Sequence, residues 1–218
     1  MKKLIIIGGA GNGTVILSTV EDINDDHPQW EILGFLNDFE TQPINGYPVL
    51  GKIDRSGVDN FLKYDDVFFL FTLISTKFNH HFIHRLVDLE IPQQKFATII
   101  HPTAVVSRFS QIGRGVMIQP FVSIGPNVQL GDHIQVYAQA LIGHNSRLAD
   151  YAYVANNACV GAAVHLCEGA YLGTNSSTLE NVTLGKWSLV GMGSVVIHDV
   201  PGFAKVAGNP AKVIGTTR

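Results

Sequence analysis

The chain is poor in cysteine and in charge, and it has no long apolar run. Its 218 residues include two cysteines, 15% charged residues and a net charge of −3. The cysteines, Cys159 and Cys167, lack a CxxC or Cys/His pattern, so they indicate neither a zinc site nor a disulfide framework. Without a basic stripe, nucleic acid and anionic membranes are not expected partners. The first apolar run, Leu4–Ile7, is too short for a signal peptide or a membrane span, and we expect a cytoplasmic protein with reduced thiols.

A period of six residues dominates the second half. From Ile100 to Val196 an aliphatic residue occupies every sixth position, with Thr178 as the exception. Helices repeat at 3.6 residues and strands at two, whereas a period of six is typical of a hexapeptide-repeat β-helix. Three such units close one triangular coil, and coils stack about 4.8 Å apart. We therefore predict a parallel β-helix over residues 99–218.

The first half alternates strands with helices instead. The pattern predicts strands at Lys3–Ile7, Trp30–Leu36, Val67–Phe71 and Phe96–Ile99, and helices at Thr14–Asn24, Ile53–Lys63 and Thr76–Glu90. Elements alternating at these lengths favour a small parallel sheet covered by helices. We predict a Rossmann-like α/β domain over residues 1–98.

A glycine-rich turn follows the first strand of that domain. Gly9, Gly11, Asn12 and Gly13 open the first helix, where backbone N–H groups and the helix dipole favour a phosphate. The dinucleotide motif GxGxxG is absent, because Thr14 stands at its last position. A second polar pair, Asn37-Asp38, follows the second strand and could bind a ribose or a base edge, although ordinary turn chemistry explains it equally well.

Together these patterns resemble the bacterial sugar-nucleotide N-acetyltransferases of the NeuD/PglD type, among the left-handed β-helix acyltransferases. The motifs that carry the resemblance are Ile6–Gly13, Gly34–Asp38, Ile100–Ser107, Ile142–Asn145 and Gly208–Lys212. The resemblance implies a homotrimer with acetyl-CoA as co-substrate between adjacent left-handed β-helices. It also implies that the first domain binds a nucleotide-linked amino sugar, such as a 4-amino-4,6-dideoxy sugar, for glycan or O-antigen synthesis.

The chain departs from its relatives around the acceptor pocket. Many relatives have a histidine where this chain has Asn12, and an acidic residue where it has Asn37. A Gly-Asn pair of relatives is replaced by Leu73-Ile74-Ser75. The resemblance therefore leaves open whether the nucleotide is UDP, dTDP or GDP, which sugar amine is acetylated, and how long the acyl chain is.

Acetyl transfer to an amine needs a group that removes a proton and donors that stabilise the carbonyl oxygen. His144 stands two residues after the core position Ile142, so it faces outward, and an imidazole titrates near neutral pH. It matches the proposed general base of the family, and Asn145 could orient its ring. By the same spacing His133 and His165 also face outward, without matching the motif.

The expected acyl-donor site comes from the later coils. Backbone N–H groups near Gly161 and Ala162 could contact the acetyl carbonyl or the pantetheine amides, while Gly173, Gly191 and Gly193 would let the pantetheine arm lie close to the backbone. Residues 202–212 leave the repeat and are predicted to form a loop over the cofactor, with Lys205 and Lys212 attracting the CoA phosphates. Turn geometry explains each glycine equally well.

Other functions stay open at this point. A sugar or sialic acid hydroxyl could be the acceptor, and a non-catalytic scaffold trimer would have the same repeat. A β-helix carbonic anhydrase would need three histidines on zinc, which the spacing of His133, His144 and His165 does not suggest. His80 and His84 form an i, i+4 pair without an evident third ligand, so no metal is expected.

Overall fold

The computed structural model describes residues 1–73 and 79–218. Two parts of the sequence discussed above lie outside the described residues. They are Ile74-Ser75, where relatives have a Gly-Asn pair, and the start of the predicted helix Thr76–Glu90. The chain forms two compact units, Met1–Pro102 and Thr103–Arg218.

The first unit is an α/β domain built on one parallel sheet. The sheet has the strand order β3-β2-β1-β4. Its strands are β1 (Lys2–Ile7), β2 (Trp30–Leu36), β3 (Val49–Gly51) and β4 (Val67–Phe71), and the helices are α1 (Asn12–Asp26), α2 (Arg55–Leu62) and α3 (Asn79–Asp88). Four consecutive residues of the central strand, Leu4–Ile7, are fully buried, as expected where helices cover both faces. The predicted α/β fold is confirmed.

Two details of the predicted first half are wrong. The short strand β3 was missed, because three residues are too few to show a period. The predicted strand Phe96–Ile99 is not a continuous strand. Phe96 forms only an isolated bridge with Phe69, directly after a 3₁₀ turn at Gln93–Lys95, and the strand β5 begins later, at Ile99–Ile100. Of the predicted helix Thr76–Glu90, the described part is Asn79–Asp88.

The second unit is a left-handed parallel β-helix with three faces, as predicted. Face 1 contains β6 (Val105–Val106), β9 (Ser123–Ile124), β12 (Leu141–Ile142), β15 (Cys159–Val160), β18 (Ser177–Thr178) and β21 (Val195–Val196). Face 2 contains β7 (Gln111–Ile112), β10 (Gln129–Leu130), β13 (Arg147–Leu148), β16 (His165–Leu166) and β19 (Thr183–Leu184). Face 3 contains β8 (Met117–Ile118), β11 (Gln135–Val136), β14 (Tyr153–Val154), β17 (Tyr171–Leu172) and β20 (Leu189–Val190).

The aliphatic member of each repeat fills the interior of this prism. Residues from Val116 to Val206 form one buried apolar cluster along the axis. The exception, Thr178, also points inward and is 8% exposed. Its hydroxyl accepts a hydrogen bond of 2.9 Å from the backbone N–H of Gly161, so its polar atom is satisfied inside the core.

The turns between faces stack into three edges. Edge 1 joins faces 1 and 2 and includes residues 143–146; edge 2 joins faces 2 and 3 and includes residues 131–134; edge 3 joins faces 3 and 1 and includes residues 173–176. From residue 115 to residue 193, every turn has a residue with left-handed backbone, often Asn or Gly. On edge 1 these residues are Asn127, Asn145, Ala163 and Asn181, so alanine interrupts a row of asparagines.

Edge 2 contains His133, which lies outside the core of the β-helix, as predicted, but is nevertheless buried. Its ring stacks on Tyr151 with 5.3 Å between the centroids, and it is only 7% exposed. Burial lowers the pKa of His133 to about 4, although the carboxylates of Asp132 and Asp150 act in the opposite direction. A turn side chain is buried here because the next coil supplies an aromatic partner.

The end of the chain is a hairpin, so the predicted loop over residues 202–212 is wrong. Strand β22 (Ala204–Gly208) pairs in parallel with β20 and extends face 3, and β23 (Ala211–Thr216) returns antiparallel to it. Ala204 and Val206 belong to the core cluster. Alternation along the strands therefore places Lys205 and Lys212 on the outer side of the hairpin.

Replacing Gly173 by alanine should destabilise the β-helix. A Cβ at this position would lie 2.6 Å from the carbonyl oxygen of Val190 in the next coil. Overpacking of this kind typically costs about 1–3 kcal/mol of unfolding free energy. Chemical denaturation of Gly173→Ala measures the cost. The control is Gly215→Ala, where a Cβ meets no atom within 4 Å, and an equal loss in both variants would contradict the role of coil contact.

Lowering the pH should destabilise the fold through His133. Between pH 6.5 and pH 4 the unfolded chain binds a proton at this ring and the folded chain does not, so unfolding free energy falls as pH falls. A pKa of about 4 against the ordinary 6.5 corresponds to a loss of about 3 kcal/mol by pH 4. Urea denaturation across this range should show a flatter pH dependence for His133→Gln.

The exposed His165 provides the matched control. His165→Gln should keep the wild-type decline, because His133 is intact. If His133→Gln loses unfolding free energy with acid as steeply as the wild type, another group is responsible.

Candidate active site

His144 lies on edge 1, and the backbone of its turn is fixed by the neighbouring coils. The N–H of Asn145 donates to the carbonyl of Pro126 at 3.0 Å in the preceding coil. The carbonyl of His144 accepts from Ala163 N–H at 2.8 Å in the following coil. A Cβ on Gly125 would lie 2.9 Å from the His144 backbone nitrogen. The imidazole is thus carried by a rigid turn.

The side chain of His144 is exposed and contacts an asparagine row. Its Nδ1 lies 3.1 Å from Nδ2 of Asn145, and Oδ1 of Asn145 accepts from Nδ2 of Asn127 at 3.1 Å. Within the described residues, Nε2 has no hydrogen-bond partner. In this orientation Asn145 donates to Nδ1, so the neutral ring carries its proton on Nε2. With the amide of Asn145 rotated by 180°, Nδ1 would carry the proton and Nε2 could accept one from a substrate.

The next turn of the same edge offers a backbone donor. Gly161 is held from both sides, because its carbonyl accepts from Ser146 Oγ at 2.9 Å and its N–H donates to Thr178. In the part of the chain that the structure describes, the N–H of Ala162 donates to no acceptor. A backbone N–H without an acceptor, one coil from an imidazole, could stabilise a developing oxyanion.

The structure does not bring all the predicted donor-site residues together within one chain. Gly161 and Ala162 share edge 1 with His144, whereas Gly173, Gly191 and Gly193 lie on edge 3. Lys205 and Lys212 lie on the terminal hairpin. Coil stacking accounts for Gly161 and Gly173, where a Cβ would approach the next backbone to 2.8 and 2.6 Å. Gly193 has open space around it and left-handed backbone.

In the first unit, the glycine-rich turn lies at the carboxyl end of β1. Gly11 is the N-cap of α1 with φ +94°, and no side chain caps the helix. No acidic residue lies in the first turn, which begins at Asn12. Gly13 is buried, and a Cβ there would approach Phe35 to 3.3 Å. The start of this helix is therefore free to bind an anion through N–H groups and the dipole.

Asn37 fixes that turn from the neighbouring strand. Its Nδ2 donates to the carbonyl of Gly8 at 3.0 Å, and its Oδ1 accepts from the N–H groups of Phe39 and Glu40, both at 2.7 Å. It is buried, and a Cβ on Gly9 would collide with its amide. Asn37 thus lies at the predicted acceptor site, with its amide committed to the protein.

Asp38 points to a different part of the domain. Oδ1 accepts from Ile53 N–H at 3.0 Å, and Oδ2 forms an ion pair of 2.6 Å with Arg85. Partial burial opposes ionisation of Asp38, but the hydrogen bonds from Arg85 and from Ile53 outweigh it and lower the pKa. Arg85 also donates to the carbonyl of Ile53 at 2.7 Å. Asp38 therefore ties α3 to the segment before α2.

A pocket of about 270 Å³ opens beside these two residues. Its lining combines Asn37 and Asp38 with the exposed side of β3 and the segments around it, namely Glu40, Thr41 and Val49–Lys52. It lies next to the carboxyl end of β2, where parallel sheets commonly bind ligands.

The remaining titratable groups do not form a metal site among residues 1–73 and 79–218. His133 is on edge 2, His144 on edge 1 and His165 on face 2. The predicted pair of His80 and His84 lies partly outside the described residues, because the side chain of His80 is not described. Cys159 and Cys167 are free thiols, and burial raises the pKa of Cys167.

Two family models match the chain. The model described as the PglD N-terminal domain matches residues 3–70, and the bacterial transferase hexapeptide model (six repeats) matches residues 109–144. The resemblance to PglD-type hexapeptide acyltransferases is confirmed. The two models fall on opposite units, one on the α/β domain and one on the β-helix.

Solved structures share both units. The acetyltransferase domain of PglB from Neisseria gonorrhoeae FA1090 is 25% identical, with a TM-score of 0.84 over 98% of this chain and 100% of that one. PerB from Caulobacter crescentus, solved in complex with CoA and GDP-perosamine, is 23% identical with a TM-score of 0.82 over 99% and 98% of the chains. The second likeness shows a common fold.

Curated relatives match only a short stretch. The 2,3,4,5-tetrahydropyridine-2,6-dicarboxylate N-acetyltransferase of Clostridium perfringens (strain SM101 / Type A) is 58% identical over 36 residues, which are 16% of this chain and 15% of that protein. The match thus spans about 15% of the length of this relative.

Three residues at these sites were not predicted from the sequence. Thr72, directly after β4, donates its hydroxyl to the carbonyl of Ile7 at 3.0 Å and contacts Gly8. Arg85 holds Asp38 from a distant helix, and no sequence pattern links the two. Asn127 precedes Asn145 by 18 residues, one full coil, so the repeat itself could have identified it.

Replacing Asn37 by aspartate should destabilise the first unit, even though relatives often have an acidic residue there. A carboxylate cannot donate to the carbonyl of Gly8, which would then face an acceptor in a buried site. An unsatisfied buried group of this kind costs about 1–3 kcal/mol. Urea denaturation measures the loss, with Asn45→Asp in an exposed turn as the control. Unchanged stability of Asn37→Asp would contradict the importance of this hydrogen bond.

Proposed function

We propose that the protein is an acetyl-CoA-dependent N-acetyltransferase that acts on the amino group of a nucleotide-linked amino-deoxy sugar. The observation that carries this proposal is the pairing of an accessible imidazole on a β-helix edge with an α/β unit that offers an uncapped helix start to a phosphate. Solved relatives with the same two units support it, since the PglB domain was solved in complex with acetyl coenzyme A and PerB with CoA and GDP-perosamine.

The proposed reaction is a direct transfer. The sugar amine attacks the thioester carbonyl carbon, and the carbonyl oxygen becomes an oxyanion that the free N–H of Ala162 would stabilise. His144 accepts a proton from the attacking nitrogen at Nε2. The carbon–sulfur bond then breaks, and the CoA thiolate leaves and takes up the proton from His144. The products are an amide and free CoA, and no acyl-enzyme is needed.

The acceptor binds through the first unit in this proposal. The diphosphate lies at the start of α1, on the N–H groups of Asn12 and Gly13, because anions bind favourably at an uncapped helix N-terminus. Gly9 and Gly11 let the diphosphate approach the turn. The pocket that Asn37 and Asp38 line suits the ribose or base. The backbone rather than these two side chains would provide the contacts, because both side chains are engaged within the protein.

The donor binds on the β-helix, and we propose a homotrimer that works in the cytoplasm. Exposed apolar side chains on face 1, among them Val105 and Leu141, suit packing against a second copy. A neighbouring copy would also bring Gly173, Gly191, Gly193 and the lysines of the hairpin to the edge that presents His144. Among the described residues, no helix is both long and apolar enough to cross a membrane. Light scattering of the purified chain tests the trimer.

Replacing His144 by alanine should abolish most of the acetyl transfer. Loss of a general base lowers kcat by about 10²- to 10⁴-fold while leaving substrate binding largely intact. The assay follows CoA release and product mass with acetyl-CoA and UDP-, dTDP- or GDP-linked amino sugars. Matched hydroxyl sugars determine whether the acceptor is an amine.

The control is His165→Ala, which removes an exposed imidazole from face 2. Near-normal turnover of His144→Ala would reject His144 as the base. If calorimetry detects no CoA binding to the wild-type chain, the protein is not this enzyme but a non-catalytic assembly.

A further inference from the structure

We propose that the ring of Phe39 is the surface on which the base of the acceptor nucleotide stacks. The inference rests on the proposed function, because it concerns the nucleotide that the first unit would bind. Three observations carry it. They are the exposure of the ring, the fixed turn that presents it, and its position beside the pocket at the end of β2.

Packing within the first unit does not explain a phenylalanine at position 39. The side chain is 90% exposed, more than any other large apolar side chain among the described residues. A ring that stays in water contributes no apolar burial to the stability of the fold. Isolated exposed apolar side chains are common on protein surfaces, so the way in which the backbone of Phe39 is held decides how this one is interpreted.

That backbone is fixed by the buried side chain of Asn37. The N–H groups of Phe39 and Glu40 both donate to Oδ1 of Asn37, at 2.7 Å. On its other side the same amide donates from Nδ2 to the carbonyl of Gly8, at 3.0 Å. One buried amide therefore connects the segment that carries the exposed ring to the glycine-rich turn, where the phosphates would bind.

This connection sets the distance between the ring and the proposed phosphate site. Because a carboxamide is small and planar and both hydrogen bonds are short, the carbonyl oxygen of Gly8 and the nitrogen of Phe39 lie within about 8 Å of each other. That is about the distance between the phosphate and the base of one nucleotide. A nucleotide with its phosphates on the glycine-rich turn can therefore reach the ring with its base.

The pocket at the end of β2 lies between these two positions in the proposed complex. Asp38 and Glu40, the neighbours of Phe39 in the chain, both line it, and its volume is about 270 Å³. Phe39 itself is not part of the lining, which agrees with an exposed ring at the rim. A ribose in the pocket would leave its base at this rim, where an aromatic ring can stack on it.

A nucleobase suits this ring better than a protein or a membrane does. Docking surfaces are contiguous apolar patches, whereas Phe39 is flanked in the chain by Asp38, Glu40 and Thr41. The carboxylate of Glu40, which forms no ion pair within residues 1–73 and 79–218, would repel an anionic membrane. A base requires only one π-face, and every base has one, so Phe39 would provide affinity without choosing among uracil, thymine and guanine.

Calorimetry with nucleotides and with inorganic pyrophosphate tests the inference on the full-length protein. Phe39→Ala should weaken the binding of UDP, dTDP and GDP about tenfold, because the stacked base loses its partner. Binding of pyrophosphate, which has no base, should not change. Phe39→Leu keeps apolar bulk without a π-face and should resemble Phe39→Ala, whereas Phe39→Tyr should bind nucleotides as the wild type does.

Phe39→Trp provides an optical measurement that does not depend on activity. The natural tryptophans, Trp30 and Trp187, are only 8% and 5% exposed, so acrylamide should quench mainly the fluorescence of the new side chain. A nucleotide stacked on that side chain should protect it, and the quenching constant should fall when UDP or GDP is added. Pyrophosphate should give no protection.

The matched control is Phe109→Ala, which removes a phenylalanine that is 67% exposed from the second unit. It should leave the affinity for nucleotides unchanged. Urea denaturation of both alanine variants should match the wild type, because neither ring is buried, and a weaker nucleotide complex of Phe39→Ala then reports binding rather than folding.

The outcomes separate this inference from the proposed function. Unchanged nucleotide affinity in Phe39→Ala, with acetyl transfer intact, overturns the stacking role alone. An equal loss of pyrophosphate binding in Phe39→Ala also overturns it, because the residue would then act through the turn and not through the base. Nucleotide binding that depends on Phe39 in a protein without acetyl transfer supports the stacking role and overturns the proposed reaction.

Discussion

Backbone hydrogen bonding between successive coils is the interaction on which the second unit depends. From β6 to β18, each strand pairs with the strand 18 residues further along the chain, in register and in parallel. Side chains at equivalent positions therefore lie above one another at about 4.8 Å, whatever their chemistry. Contacts such as Asn127 with Asn145, or His133 with Tyr151, follow from this stacking. Residues 18 positions apart in the sequence therefore form a column of side chains along the β-helix axis.

Close stacking explains why glycine precedes so many turns. At Gly143 and Gly161 a Cβ would meet backbone atoms of the next coil at 2.7 and 2.8 Å. The same requirement holds on edges without a functional candidate, as at Gly185. The presence of a glycine in this repeat is therefore weak evidence for a cofactor contact, because coil stacking alone requires it. Side chains that stacking does not require, such as the imidazole of His144, carry more functional information.

Much of the architecture could be predicted from the sequence, because the repeat is strictly periodic and burial follows it. The strands Trp30–Leu36 and Val67–Phe71 were predicted with their observed bounds, since each is a continuous run typical of a buried parallel strand. Short or irregular elements were not, as with Val49–Gly51 and the terminal hairpin. Burial of His133 also escaped prediction, because it depends on an aromatic side chain one coil away.

For the candidate sites, sequence located the residues better than it described their roles. Asn37 and Asp38 do lie at a strand end beside a pocket, but their side chains hold Gly8 and Arg85. Arg85 could not have been found, because its partner is 47 residues away in the chain and no period relates them. The role of such a side chain depends on its hydrogen-bond partners. Those partners come from helices and strands whose separation in the sequence follows no period.

At position 163 on edge 1, the stability of the turn and the accessibility of His144 favour different residues. Left-handed backbone is less favourable for alanine than for asparagine or glycine, by roughly 1 kcal/mol. Stabilising this turn would therefore mean replacing Ala163 by asparagine, which would give edge 1 an unbroken row of asparagines from Asn127 to Asn181. The added side chain would occupy the space one coil from the imidazole. A more heat-resistant variant of this protein would then be one in which the surface beside His144 is covered.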